Sequence, residues 1–269
     1  MKIIVSHDVD HITAWEHKKD LIIPKLAVRS SIELVIGKIG FMEYLLRFKE
    51  LAKNKWQNLE ELMGFDEENK VRSTFFIGVK NGLGLSYSLD NAKYWTEKIV
   101  ERGFDAGVHG LAFNNYDDIK DEYDTFGNLS GLKKFGIRIH YVRKSEDTLK
   151  FLDKAGYIFD STLNKLENPF KAGNLWEFPL HIMDSYTFQE NSRWQNRTLE
   201  EAKDKTKSVI QEASTKGIKY FTILFHDTYF SNSFKSWKDW YIWIVCHLKN
   251  SGFEFTTYRE AIQELETKA

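Results

Sequence analysis

The chain has 269 residues, of which 42% are hydrophobic and 15% aromatic, enough for the core of a large globular domain. It carries 38 basic and 39 acidic residues for a formal net charge of −1, which gives no electrostatic basis for binding nucleic acid. The single cysteine, Cys246, excludes an internal disulfide, and 16 glycines with 3 prolines argue against a low-complexity chain.

The chain begins with the apolar run MKIIVS, which predicts a first strand over residues 2–6 and is too short for a signal peptide. No stretch of the sequence reaches the roughly 20 apolar residues that are needed to cross a bilayer. We therefore expect a soluble, cytoplasmic protein.

Short apolar runs continue along the chain and alternate with amphipathic segments. The runs predict strands over residues 2–6, 73–79, 104–108, 137–139, 157–160, 176–180, 221–225 and 253–257. The segments predict helices over residues 91–103, 146–156, 199–217 and 258–266, and the first three end in glycine. This alternation indicates an α/β fold of parallel βα units, and seven or eight units in this length favour an irregular (β/α) barrel over an open doubly wound sheet.

Residues 12–70 interrupt the alternation, because they contain no convincing strand and read as a long helical insertion after the first strand. Its apolar face has three open roles: packing against the barrel, contacting a second copy, or touching a membrane surface. The chain has no evident internal repeat or linker, so residues 1–269 are predicted to form a single domain.

Polar side chains gather directly after the predicted strands. Six of the eight histidines lie there, as do several carboxylates: His7, Asp8, Asp10, His11, His109, His140, Asp160, His181, Asp184, His226 and Asp227. Because parallel strands of a barrel point their carboxyl ends to one rim, these side chains are expected to converge. Imidazole and carboxylate groups are the ligands of zinc and similar divalent ions, so the pattern predicts a metal-assisted active site.

The motifs HDVD, GVHG, GIRIH and LFH follow one another in the order that is typical of a known family. In this the chain resembles the polysaccharide deacetylases of the NodB-homology group, carbohydrate esterase family 4. The neighbouring motifs FDST and EFPLHIMD are similar to a bacterial subgroup associated with surface-polysaccharide gene clusters. The resemblance covers most of the chain except residues 12–70, and it implies an irregular (β/α) barrel that removes acyl groups from N-acylated sugars with a divalent metal.

Carried over residue by residue, the resemblance implies a role for each motif position. Asp8 takes the position of the general base, and Arg138 that of the arginine holding the base carboxylate. Asp10 and His109 match metal ligands, and His226 matches the histidine that protonates the leaving amine. The spacing of the two aspartates suits these roles, since residues 8 and 10 of a strand face the same way.

One position departs from the family pattern. The second metal histidine of the family lies four residues after the first, where this chain has Phe113. We expect His140, at the neighbouring strand end, to replace it as the third ligand. His7 and His11 are weaker candidates, since a near neighbour of Asp10 on the same loop tends to point away from it. Zinc is the expected ion.

His226 should be protonated when the amine leaves, so a carboxylate must support its imidazolium. Asp160 is the first candidate for this supporting group, and Asp184 and Asp227 compete with it. His181 is expected to have a structural or substrate-shaping role.

Three further side chains near the rim are predicted to contact substrate: Tyr141, Arg143 and Tyr229. An aromatic ring can stack on the apolar face of a sugar, and an arginine can bind a phosphate or help to hold the base.

The sequence thus predicts a cytoplasmic N-deacetylase acting on a nucleotide- or lipid-linked amino-sugar precursor of surface polysaccharide. Phe113 keeps a second hypothesis open, namely a non-catalytic sugar-binding or regulatory protein of the same fold. A phosphoesterase barrel is disfavoured, because the multi-metal centres of such enzymes use His-x-His pairs and this chain has none. The sugar, the acyl group and the oligomeric state stay open.

Overall fold

The computed structural model describes residues 1–190 and 192–267, and within them it has ten strands and ten α-helices. The strands are β1 (Lys2–Val9), β2 (Thr74–Ile77), β3 (Asp105–Gly110), β4 (Ile137–Ile139), β5 (Phe159–Asp160), β6 (Phe170–Ala172), β7 (Leu175–Glu177), β8 (Ile182–Met183), β9 (Tyr220–Leu224) and β10 (Glu254–Thr256). The helices are α1 (Ile22–Val35), α2 (Phe41–Ala52), α3 (Leu59–Asn69), α4 (Leu89–Glu101), α5 (Tyr116–Ser130), α6 (Thr148–Ala155), α7 (Asp184–Gln189), α8 (Leu199–Thr215), α9 (Lys235–Asn250) and α10 (Tyr258–Thr267).

The strands form one sheet in the order β6-β7-β5-β4-β3-β2-β1-β9-β8, with β10 also pairing with β1. Neighbouring strands are parallel except for the antiparallel pair β6–β7. Strands β2, β4 and β9 are buried along their whole length, as expected for parallel strands that are covered on both faces.

The segment 175–183 brings the two ends of the sheet together. Its first part, β7, pairs with β5, and its last part, β8, pairs with β9. Between them the amide of Phe178 donates to the carbonyl of Asp160 at 2.8 Å, and the amide of Leu180 to that of Leu163 at 2.7 Å. The sheet therefore curls into an irregular, mostly parallel barrel, which confirms the predicted fold class.

All eight predicted strands and all four predicted helices are present, with ends that shift by a few residues. The helix α6 ends at Gly156, whose φ of 109° is a left-handed conformation that favours glycine. The main difference at the site is that β1 runs to Val9 and so includes His7 and Asp8. Strands β6 and β8 were not predicted, because three and two residues are too few to give a periodic pattern.

The segment 12–70 is helical, as predicted, but it has two parts. Helix α3 belongs to the layer around the barrel, since Leu59, Leu62 and Met63 are fully buried in the main core. Helices α1 and α2 form a hairpin outside that layer. The inner side of the hairpin is held by Glu33, which accepts from Arg29 Nε at 2.8 Å and from Arg47 Nη1 at 2.5 Å.

Candidate active site

Three predicted ligands meet at the carboxyl ends of β1, β3 and β4. Oδ1 of Asp10 lies 3.1 Å from Nε2 of His109 and 3.4 Å from Nδ1 of His140. The two imidazole nitrogens are 2.9 Å apart. The barrel therefore brings together one carboxylate and two imidazoles from loops that are 99 and 31 residues apart in the chain.

Backbone carbonyls orient both imidazole rings toward this point. Nδ1 of His109 lies 3.0 Å from the carbonyl oxygen of Arg138, and Nε2 of His140 lies 3.3 Å from that of Leu83. A carbonyl oxygen only accepts, so in the neutral rings these nitrogens carry the proton, which leaves Nε2 of His109 and Nδ1 of His140 as bare donors of lone pairs. Two facing lone pairs and a carboxylate, all within 4.8 Å of one another, form a donor set that fits a divalent cation of the zinc type.

The Asp10 carboxylate and the two imidazoles stabilise each other's charged forms. Burial raises the pKa of the Asp10 carboxyl, but His140 and His109 outweigh burial and hold that pKa well below its ordinary value. Burial lowers the pKa of His109, while Asp8 and Asp10 raise it above its ordinary value. The carboxylate of Asp10 is therefore ionised, as a metal ligand must be.

Phe113, at the position of the missing family histidine, lies in an apolar setting. Its ring packs partly buried against the main core, and the Arg143 guanidinium stands 4.9 Å from the ring centre. The second imidazole of the cluster instead comes from His140, one strand further along the sheet.

Asp8 lies beside the cluster and is held by Arg138. Oδ2 of Asp8 is 3.8 Å from Nε2 of His109, and Oδ1 accepts from Arg138 Nη1 at 3.0 Å. The fully buried arginine donates its other N–H groups to Ser6, Tyr258 and both the carbonyl and the hydroxyl of Ser161. All five donors of the guanidinium are used, so the direction of the Asp8 carboxylate is fixed.

His226, after β9, faces the cluster from the other side. Its Nε2 lies 3.8 Å from Oδ2 of Asp10, and its Nδ1 lies 2.9 Å from Oδ1 of Asp184. Burial would lower the pKa of His226, but Asp184 and, to a smaller extent, Asp10 and Asp8 raise it well above its ordinary value. His226 is therefore a cation near neutral pH.

The prediction that Asp160 supports His226 is wrong, because Asp184 is the carboxylate that contacts it. Asp160 accepts from the Thr162 hydroxyl at 2.5 Å and forms a buried acidic pair with Glu177. Asp227, the other competitor, accepts from the amide of Asn58 at 3.2 Å. Asp184 directly follows β8. Because β8 has only two residues, no strand pattern in the sequence favoured Asp184 over Asp160 as the partner of His226.

Besides His226, three histidines of the predicted rim lie outside the candidate metal cluster in the described part of the chain. His7 is inside β1 and contacts Asp66 at 3.0 Å. His11 contacts His17, and its Nδ1 lies 3.1 Å from Nε2 of that ring. His181 accepts from the amide of Thr222 at 2.9 Å, which fits its expected structural role.

The predicted substrate residues border the site. The ring of Tyr141 is 61% exposed and its centre lies 4.1 Å from that of His140. Arg143 donates to the carbonyl of Leu111 at 2.6 Å, and the ring of Tyr229 lies 5.9 Å from that of His226. Contact of these residues with a substrate stays a prediction.

Sequence reasoning missed Glu122, a buried carboxylate on the unpredicted helix α5. It accepts from the amides of Leu111 and Ala112 at 2.9 and 3.3 Å, and so holds the loop that follows His109. Burial raises the pKa of Glu122 to about 7 against the opposing effect of these amides. No motif marks this residue, because its role depends on a tertiary contact.

No protein-family model matches the sequence, and no curated protein matches it. Solved structures do match. A protein from Mycobacterium smegmatis assigned as a polysaccharide deacetylase has a TM-score of 0.68 at 14% identity, over 99% of this chain and 90% of that chain. The PuuE allantoinase has a TM-score of 0.61 at 9% identity, over 96% and 87% of the two chains. A protein from Pseudomonas aeruginosa PAO1, also assigned as a polysaccharide deacetylase, has a TM-score of 0.58 at 11% identity, over 97% and 88%.

These similarities cover nearly the whole chain, while identities of 9–14% make them evidence of architecture. They agree with the resemblance that the sequence motifs predict. The chain therefore has the fold of the polysaccharide deacetylases.

Proposed function

We propose that the chain is a metal-dependent hydrolase that removes an N-acyl group from an amino sugar. One observation carries the proposal: a candidate metal site, an arginine-held carboxylate and a carboxylate-supported histidine converge on one rim of the barrel. Amide hydrolysis needs a base for water, a charge partner for the oxyanion and an acid for the leaving amine. The three groups match these needs.

Asp8 is the base in this proposal. Its carboxylate takes a proton from the attacking water, while Arg138 holds the carboxylate in position. The distance of 3.8 Å between Oδ2 of Asp8 and Nε2 of His109 supports this role, because it leaves Asp8 next to the ligand atoms.

Asp10, His109 and His140 would hold the metal. A divalent ion there, with zinc the expected one, would polarise the acyl carbonyl and lower the pKa of a water molecule.

His226 is the acid. Its imidazolium, stabilised by Asp184, donates a proton to the amine nitrogen as the C–N bond breaks, so that one water and one amide give a carboxylic acid and a free amine, and the proton on Asp8 restores the imidazolium. The raised pKa of His226 supports this role, since the ring must be protonated at that moment.

Two residues of the rim support a substrate class. The exposed ring of Tyr141 suits stacking on a sugar, and the guanidinium of Arg143 suits a phosphate group. We therefore propose a nucleotide- or lipid-linked amino sugar, of the kind used to build surface polysaccharide.

A non-catalytic sugar-binding or regulatory protein is the alternative, favoured by Phe113 at a ligand position of the family. Binding alone would need neither Asp8 nor His226. Both residues are present with their partners, Arg138 beside Asp8 and Asp184 beside His226. The alternative predicts negligible affinity for divalent metals.

The test combines metal analysis with acetate release. The protein is loaded with zinc or cobalt, its metal content is measured, and it is incubated with N-acetylated nucleotide sugars, lipid-linked N-acetyl sugars and allantoin. We expect one metal per chain, acetate from an amino sugar and no product from allantoin. Asp8→Asn and His226→Asn should each lower the rate about 10²- to 10⁴-fold, while His181→Asn, away from the cluster, should not.

Two results would contradict the proposal. A metal-loaded protein that releases no acetate across the panel would not be this deacetylase. A protein that binds no divalent metal would favour the non-catalytic alternative.

A further inference from the structure

The α1–α2 hairpin has an exposed apolar face on its outer side. On α1, the residues Leu21, Val28 and Val35 recur every seventh position and are 68%, 61% and 85% exposed. They lie opposite the side that buries Leu26 and Ser30.

The second helix has exposed apolar residues as well. At its start, Phe41 and Met42 are 62% and 68% exposed, and Leu45 is 44% exposed one turn later. The opposite side of α2 buries Arg47, which binds Glu33 of α1. We call the six exposed residues the outer face: Leu21, Val28, Val35, Phe41, Met42 and Leu45. A group of exposed large apolar residues on one helical hairpin indicates an interaction site.

Charge on the hairpin is strongly one-sided. Residues 18–53 contain eight basic and four acidic residues, although the chain as a whole has a net charge of −1. Five of the lysines are exposed around the outer face: Lys18, Lys19, Lys25, Lys49 and Lys53.

The four acidic residues of the same segment have partners within the protein. Glu33 and Glu43 form ion pairs with Arg47, Glu50 accepts from the hydroxyls of Ser231 and Ser233, and Asp20 lies 2.7 Å from Nδ1 of His17. The hairpin thus presents apolar side chains and uncompensated lysines to its surroundings.

We propose that the outer face docks on an anionic lipid surface. A helix with an apolar face and lysines beside it lies in the plane of a bilayer, where the apolar side chains enter the headgroup region and the lysines meet lipid phosphates. A second copy of the chain fits less well, because it would bring the same lysines against each other without acidic partners. In the described residues no helix is long and apolar enough to cross a membrane.

The hairpin also contacts the rim of the barrel. Arg29, on the inner side of α1, donates to the hydroxyl of Tyr229 at 3.1 Å, and the ring of Tyr229 lies 5.9 Å from that of His226. Docking therefore holds the candidate site close to the headgroups. That the site then receives a lipid-linked sugar rests on the proposed function, whereas the docking itself does not.

Vesicle sedimentation tests the docking without any substrate. We expect the full chain to bind vesicles of phosphatidylcholine with 30% phosphatidylglycerol, and to bind pure phosphatidylcholine vesicles weakly. Binding should fall as salt is raised. Phe41→Ser with Met42→Ser should lower the partition coefficient at least about tenfold, and Lys25→Glu and Lys49→Glu should lower it about fivefold or more each.

Matched controls lie outside the hairpin. Phe170→Ser removes an exposed apolar residue of β6, and Lys150→Glu reverses an exposed lysine of α6, so neither should change the partition coefficient. Equal loss in the controls, or no binding of the native chain to anionic vesicles, would overturn the proposal. A dimer that dissociates in the Phe41→Ser, Met42→Ser variant while vesicle binding is absent would instead assign the outer face to a second copy. Acetate release with no vesicle binding would overturn the docking and leave the proposed function standing.

Discussion

His109 and His140 face each other through Nε2 and Nδ1, which lie 2.9 Å apart. Each ring is oriented by a backbone carbonyl on its far side. The pair belongs to two adjacent strands, whereas the family pattern places both histidines on one loop. The arrangement leads to testable consequences for the ligands and for the groups around them.

The first prediction concerns His140 as a metal ligand. Losing a group that only hydrogen-bonds to a metal ligand lowers metal affinity ~10- to 100-fold. His140→Ala removes a proposed ligand itself, so it should lower zinc affinity by more than that. Competition with a chelating dye measures the affinity. His181→Ala is the control, since that ring contacts Thr222, and its zinc affinity should equal that of the native chain. Unchanged zinc affinity in His140→Ala would show that the third ligand is another group.

The second prediction concerns the support of the acid by Asp184. Because Asp184 raises the pKa of His226, Asp184→Asn should lower that pKa. The acid acts in its protonated form. The pH above which kcat/KM declines should therefore be about 1–3 units lower in the variant than in the native chain.

Asp160→Asn is the matched control for this experiment. Asp160 contacts Thr162, so the basic limit of the kcat/KM profile should stay where it is in the native chain. A shift in Asp160→Asn with none in Asp184→Asn would restore Asp160 as the supporting carboxylate.

The third prediction concerns Arg138. Its removal in Arg138→Met leaves the buried Asp8 carboxylate without its cation, which should cost about 3–5 kcal/mol of unfolding free energy and abolish most activity. Urea unfolding and initial rates measure the two effects. Arg72→Met removes an exposed arginine that pairs with Glu260, and it should cost at most about 1 kcal/mol. Equal costs for the two variants would contradict the role of Arg138.

The fourth prediction concerns pH and stability. Burial lowers the pKa of His181 to about 4, below the value of about 6.5 in an unfolded chain. Between these values the unfolded state binds the proton more readily, so His181 makes stability fall as the pH drops from 6.5 to 4.

His181→Asn should therefore lose less unfolding free energy than the native chain between pH 7.5 and pH 5, by on the order of 1 kcal/mol. Urea unfolding at both pH values gives the comparison. Identical losses in the two proteins would mean that His181 is protonated as easily in the folded state as in the unfolded one.

Much of the architecture could be predicted from the alternation of apolar runs and amphipathic segments, because each run is a buried parallel strand. The convergence of Asp10, His109 and His140 followed from a general rule, that the carboxyl ends of such strands share a rim. The pairing of Arg138 with Asp8 came from the family resemblance, and the structure places the two groups 3.0 Å apart.

What escaped prediction depended on exact strand ends and on tertiary contacts. His7 looked like a rim residue, but β1 continues past it, and alternation along the strand turns His7 away from Asp8 toward Asp66. Asp184 and Glu122 act through contacts with residues that are 42 and 11 positions away, which no local pattern encodes.

The pairing of β3 with β4 has a consequence for the metal itself. Only three residue pairs join these strands, and one of them aligns His109 with Arg138, two positions before His140. A slip of one residue would move His140 by about 3.3 Å along the sheet and turn its side chain to the other face. Affinity for the proposed ion would therefore report on the register of β3 and β4. A distant mutation that weakens this short pairing should lower that affinity before it unfolds the barrel.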